Sequence, residues 1–541
     1  MPLKAFNSSP KKPSSSQGGV LFDPRCVAQV LHAAKPPKAA LPPEESRITV
    51  HAAVSRISVL YEKLRNAVDY KDEHLIRKGA IVRILRRQLV LESDPVIIAH
   101  NLVYELIAAR YLPNEVLPES LIEDAATVVR KLQAVSSVRM GGDRYSTWLI
   151  GIASAELEET LADPHSDKAY VTFLYQRLSE SLKVKNVPIE ETERHLEIFI
   201  ACYRTFVKAD EEQIAYKYVR AFLPQWMRPN EWVDRPVDVA EELYGVHERI
   251  RQRLVSPLAQ RFVRAVRPWA VTMWMLRDAL SKDADPAVLL SSREDTQRAV
   301  ASITSRREEQ ARGKIWRGTL RAIVYLLITK IIFALALEVP IEKWLYHELD
   351  MKALMINISL PPAIMLLVGI FIRRPTSENS KRILEHLDML MTASGVPVQE
   401  IRVPRPRVGG TAFVFGLVYL FMYALSFGLI GWGLMKLHFT PIAIAVFYFF
   451  LCVVSFFGYR LGSVVRETIV VKQRERLSTA IWDFFLLPIL RAGRWLSSSV
   501  SRINVFAFVL DVIFEAPLKL FLGALEETLK FIREKKDELS E

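Results

Sequence analysis

Lys330 stands inside an apolar run, residues 318–337. An ammonium group at that depth in hydrocarbon is a functional hypothesis by default, because with a carboxylate beside it it would mark an ion or proton path. The side chain can also snorkel: Lys330 to Leu337 is about 10 Å at 1.5 Å per residue, and its stem bridges part of that gap toward the outer headgroups. No Asp or Glu falls inside any of the chain's four apolar runs. The spans therefore offer no buried partner, and snorkelling is the expectation. In the second run, 353–372, Pro361 and Pro362 each remove a backbone donor and free a carbonyl one turn back, close to Asn357 and Ser359. Transporters use such breaks to expose backbone to an ion. Membrane helices also carry proline as plain kinks, and no matching break occurs in a second repeat, so a kink without transport is expected. Lys330, Asn357, Pro361 and Pro362 are the candidate path or hinge residues.

Outside the apolar runs the candidate chemistry is thinner. Glu191, Glu193, His195 and Glu197 cluster, but only Glu191 and His195 share a helix face at i, i+4, and a helical di-metal site needs Glu-x-x-His twice. Arg249, Arg251, Arg253, Arg261, Arg264 and Arg267, followed by Trp269 and Trp274, would suit a phosphate-rich surface. They stand beside Glu241, Glu242 and Glu248, however, which predicts a salt-bridged helix face. Trp226 and Trp232 lie between Pro224 and Pro236 in what reads as a packed connector. No GxxxxGK[ST], GxGxxG after a strand, HExxH, GxSxG or kinase set occurs. No cofactor or metal is expected, and the reading is non-enzymatic.

The elements that would position these residues follow from composition. The 541 residues are half apolar yet 24% charged, with mean hydropathy +0.13, so the two kinds are segregated along the chain. Lys and Arg outnumber Asp and Glu by 6 to 3 in residues 1–45, balance at 38 each in 46–310, and exceed them by 28 to 19 in 311–541. A nucleic-acid binder concentrates positive charge in its soluble fold; here the apolar half is basic, which points to anionic lipid and away from nucleic acid. The three cysteines, Cys26, Cys202 and Cys452, have no metal-site or disulfide spacing. Behind the first lysines no apolar core of signal-peptide length follows.

Residues 1–45, rich in Pro, Ser, Lys and Ala, read as a disordered tail and inert tether; Val27 to Leu31 suits a helical turn or two on a partner. From 46 to 310 apolar residues recur at helical spacing, as in Ile57, Leu60, Tyr61, Leu64 and Val68, or Leu196, Phe199, Ile200, Tyr203 and Phe206. Asp94-Pro95 opens one helix there and Gly141-Gly142-Asp143 separates two others. This predicts an all-helical cytosolic domain. Then come apolar runs at 318–337, 353–372, 411–435 and 439–459, each about the 20 residues that a helix needs to cross a bilayer. Gly416, Gly428, Gly431 and Gly433 in the third suit close helix approach and self-association, making a homo-oligomer a further expectation.

Basic residues crowd the connections before the first run, between the second and third, and after the fourth, while the other two connections carry only Lys343, Lys352 and Lys436. By the positive-inside rule both termini lie in the cytoplasm. Residues 461–541 mix aromatics, arginines and short apolar runs. They read as amphipathic helices on the inner leaflet, with Trp482, Arg491, Arg494 and Trp495 at the lipid interface. The whole is an all-α, multi-pass membrane protein: a cytosolic helical domain, a four-helix transmembrane bundle and interfacial C-terminal helices. Its expected role is a membrane-anchored scaffold that presents the helical domain to a protein partner, the alternative being a transporter or channel with a path at Lys330 and the Pro361-Pro362 pair.

Overall fold

The computed structural model describes residues 22–35, 43, 46–50, 73–466, 469–470, 484 and 486–495, apart from 139, 163–164, 347–350, 373–376 and 404–409. The stripe from Ile57 to Val68 and Trp482 lie outside them. Among the described residues the fold is helical, with one two-stranded parallel sheet.

The soluble part is built on α1 (Pro24–Ala34), α2 (Glu73–Leu91), α3 (Pro95–Ala108), α4 (Ser120–Ser137), α5 (Asp143–Ala162), α6 (His165–Ser179), α7 (Glu191–Cys202), α8 (Glu211–Phe222), α9 (Val237–Leu254), α10 (Pro257–Lys282) and the short α11 (Pro286–Ser291). Capping follows the sequence punctuation. Asp94 accepts from the Val96 amide ahead of a proline at the first helical position of α3, and Asp210 and Gln213 form a reciprocal capping box on α8.

The expectation of a disordered tail is corrected over Pro24–Ala34. Phe22, Cys26, Val30 and Ala33 sit at three- and four-residue spacing and are all buried in the domain's own core, packed on α6. The apolar patch is covered by this chain itself, which the polar composition of its flanks conceals.

The contiguous domain boundary is corrected as well. α12 (Arg293–Phe333) leaves the soluble core and continues unbroken for 41 residues into the first apolar run. After α13 (Val339–Tyr346) and α14 (Met351–Phe371), the chain re-enters the soluble core as α15 (Ser377–Met391) and β2 (Gln399–Arg402). Ile383, Leu387, Leu390 and Met391 of α15 are fully buried against α10 and α12. β2 pairs in parallel with β1 (Leu182–Lys185), placing Val184 opposite Ile401. The connection between the second and third apolar helices is thus part of the soluble domain.

Among the described residues, four helices are long and apolar enough to cross a membrane: α12 with its extension, α14, α16 (Gly410–Lys436) and α17 (Pro441–Arg466). α12, α14 and α17 form the packed unit, with Ala322, Leu326, Met365, Phe450 and Val454 between them. Small residues allow the approach: a Cβ at Gly318 would meet Leu461, at Gly369 Thr319, and at Gly458 Val368. The expectation that the α16 glycines do this packing holds for Gly431 alone, which lies against Tyr448; Gly416, Gly428 and Gly433 face open space. α16 stands at the edge of the bundle, in contact with α17.

Candidate functional site within the apolar helices

Lys330 does not snorkel. With lipid left out of account, its side chain is 0% exposed, so protein surrounds it on every side. Its Nζ donates to Glu338 Oε2 at 3.2 Å and lies 5.1 Å from the centre of the Phe450 ring. Glu338 is 1% exposed, and its other oxygen accepts from the Asn357 side-chain amide of α14. A step further on, Thr440 at the start of α17 donates to Glu342 at 2.5 Å. Residues from α12, its extension, α14 and α17 therefore meet in one polar cluster, away from the soluble domain.

The local backbone explains the meeting. In an ideal α-helix a residue eight places on lies about 80° out of line, at about 100° per residue. Residues Ala334–Glu338 form a π-helical turn, whose wider i→i+5 pattern returns Glu338 to the Lys330 face. Glu338 is one residue beyond the apolar run ending at Leu337, which is why a count of acids within the spans missed it. The signal in the sequence was a carboxylate just past the run and on the same continuous helix.

Of the other path or hinge candidates, Pro361 and Pro362 are buried one turn beyond Asn357, yet α14 remains helical through both. The proline pair does not interrupt the span as a secondary-structure break. It does leave the Asn357 and Ile358 carbonyls without their intrahelical donors. Asn357 Oδ1 is buried without a hydrogen-bond partner, so one residue presents two underused acceptors beside a carboxylate. Ser359 faces outward and donates back to the Met355 carbonyl at 2.8 Å, outside the cluster.

The lipid-interface candidates separate differently. Within 486–495, Ile489 is buried with Leu434, Phe447 and Leu451, and Gly493 lies on the Cys452 carbonyl so closely that a Cβ would collide with it. Cys452 is seven residues inside Tyr459, about 10 Å along α17 at 1.5 Å per residue. Arg491 donates to the Tyr419 hydroxyl at 2.7 Å and packs over its ring. Residues 486–495 dock between α16 and α17, where the single glycine allows the backbones to touch. Arg494 and Trp495 are exposed.

The soluble-domain candidates resolve into structural pairs. Glu191 binds Arg194 at 2.5 Å, and His195 Nδ1 meets the Tyr175 hydroxyl at 2.9 Å. Arg253 pairs with Glu193 and with Glu197, the latter at 2.9 Å, and Arg251 with Glu248 at 2.9 Å. Trp226 and Trp232 stack at 5.4 Å, both buried, with Trp226 donating to Glu156 at 3.0 Å. Among the described residues, no group of three His, Cys, Asp or Glu side chains could hold a metal ion.

Compared with protein-family models, curated proteins and solved structures, the chain finds no match. Composition and fold define an all-helical protein with four apolar helices suited to a membrane.

Proposed function

We propose that this protein is a non-catalytic, membrane-anchored scaffold that holds its helical domain at the cytoplasmic face for a protein partner. The observation that carries this is the double attachment of domain to bundle: α12 runs from one into the other without a break, and α15 with β2 returns from between the second and third apolar helices to complete the soluble core. A domain mounted in this way keeps a fixed orientation to the bilayer. The pairing of Lys330 and the Asn357 amide with Glu338 suits an anchor whose buried charges are held within the bundle. Val90, Leu91, Val96 and Ile97, exposed around the α2–α3 corner, are the surface offered to the partner. Arg306, Arg312, Lys314 and Arg317 on α12 favour an anionic inner leaflet.

The test is a photo-crosslinking residue at Leu91 of the full chain in its native membrane, with one at exposed Arg264 as control. A discrete protein adduct from Leu91 alone is expected; no adduct from Leu91 would sink the scaffold reading. For sidedness, cysteines at Arg264 and Glu378 should resist an impermeant thiol reagent in intact cells and one at Lys436 should react. All three native cysteines are buried.

A second reading, a transporter or channel, is favoured by the underused acceptors of Asn357 beside Glu338. It requires ion or proton flux in proteoliposomes that Lys330→Met abolishes; sealed vesicles would eliminate it.

A further inference from the structure

The charges buried among the apolar helices do not balance. Lys330 of α12, Glu338 of its π-helical extension and Glu342 of α13 are 0%, 1% and 7% exposed, and Glu342 is near enough for its charge to act on Lys330. The other described basic residues at this end, Lys343, Lys352, Lys436 and His438, are exposed. Among the described residues, one buried ammonium therefore faces two buried carboxylates, a surplus of one negative charge. The hydrogen bonding is unbalanced in the same direction. Lys330 is engaged by Glu338 Oε2 at 3.2 Å and by the Phe450 ring, the Asn357 amide donates to the other oxygen of Glu338, and the Thr440 hydroxyl donates to Glu342 at 2.5 Å. What is left over is acceptor: Asn357 Oδ1, buried with no partner, and the Asn357 and Ile358 carbonyls that Pro361 and Pro362 cannot bond. Turning the Asn357 amide over would not help, since it would set Oδ1 against the Glu338 carboxylate.

We infer that this cluster binds one monovalent metal cation, sodium or potassium, on Asn357 Oδ1 and the Glu338 and Glu342 carboxylates. A carboxylate taken out of water without a compensating charge is costly, and a buried acceptor without a donor adds to that cost. A single positive ion removes both. Carboxylate, amide and carbonyl oxygens are the ligands that hard cations take. A divalent ion would replace a surplus of one negative charge by a surplus of one positive charge. A water molecule would satisfy Oδ1 and leave the charge as it was, and an anion would meet only acceptors. The inference rests on the transport reading's cluster and names its ion, but binding does not require passage. Binding is read at equilibrium and flux in proteoliposomes, so sealed vesicles whose protein still binds the ion would remove transport and keep the site.

The test uses the full chain in detergent, titrated calorimetrically and melted in rising sodium chloride or potassium chloride, against N-methylglucamine chloride at matched ionic strength. Saturable heat and a rise in Tm with sodium or potassium, absent with the organic cation, are expected; the lower half-saturation identifies the ion. Glu342→Gln keeps the side chain's shape and an oxygen for Thr440 while removing the surplus charge, and should weaken binding by about tenfold or more. Lys330→Met acts the other way. It doubles the surplus charge and frees Glu338 Oε2, so the ion should bind about tenfold more tightly and restore part of the Tm that the substitution costs. A merely structural cluster would lose stability in Lys330→Met and gain no ion response. No effect beyond the organic cation in the unmodified protein would overturn the proposal. So would a Glu342→Gln variant of native helical content that binds as before, or a Lys330→Met variant that binds no more tightly.

Discussion

The guanidinium of Arg293 forks onto the carboxylate of Asp388, with Nε to Oδ1 at 3.0 Å and a terminal nitrogen to Oδ2 at 2.7 Å. Arg293 is the first residue of the helix that enters the apolar bundle; Asp388 belongs to a helix that follows the second apolar run. Gln297, one turn on, donates to the same carboxylate at 2.8 Å. The ion pair ties the two chain passages together within the soluble core. Such bidentate geometry suits Arg and would not survive exchange for Lys.

The soluble core should therefore depend on residues distant in sequence. Leu387→Ala in the full chain is expected to cost about 2 to 5 kcal/mol, as for other large-to-small changes at buried sites, read from chemical denaturation followed by tryptophan fluorescence. A fragment limited to residues 46–310 should bind a hydrophobic dye and melt without cooperativity, since it exposes the groove that Ile383, Leu387, Leu390 and Met391 fill. Adding 377–402 through a flexible linker should restore a cooperative transition.

Lys330 and Glu338 should behave as a unit. Lys330→Met or Glu338→Gln alone leaves an uncompensated buried group and is expected to destabilise by about 3 to 5 kcal/mol. The double variant should recover most of that loss. Detergent melts of the four proteins give the coupling; additive single effects would show that the pair is not coupled.

α15 docking should weaken in mild acid. Burial, helped by the charge of Arg382, pushes His386 down to about 4 from its ordinary 6.5, where it packs on Trp269 at 4.3 Å between ring centres. The unfolded chain then binds the proton more readily than the folded one between these values. The stabilisation is full above about pH 6.5 and declines as pH falls toward 4. His386→Phe should flatten this dependence in a Tm-against-pH series; an unchanged slope would assign the acid loss to other groups.

Gly493→Val should undock 486–495, because its added carbons have no room against the Cys452 carbonyl. Cys452, buried in the native protein, is expected to become reactive toward a lipid-soluble maleimide. Equal labelling of the native and variant proteins would show that this contact does not cover the thiol.

The sequence by itself determined what depends on local periodicity and on transfer from water. Four apolar runs of bilayer length, helical spacing at Leu196 through Phe206, and the cap at Asp94 are properties of neighbouring residues, and the structure displays them. Tertiary structure decided which distant groups meet. The buried stripe of α15, Ile383, Leu387 and Leu390, has helical spacing, but nothing local says that it completes a core that begins at Phe22. Lys330 acquired a partner because a π-helical turn rotated Glu338 back by a fraction of a turn, and Asn357 reached the same carboxylate from another helix. Pro24–Ala34 ordered because α6 offered an apolar face to Val30. In each case the deciding free energy is burial or charge pairing between segments far apart in the chain, and that exists only once the fold has brought them together.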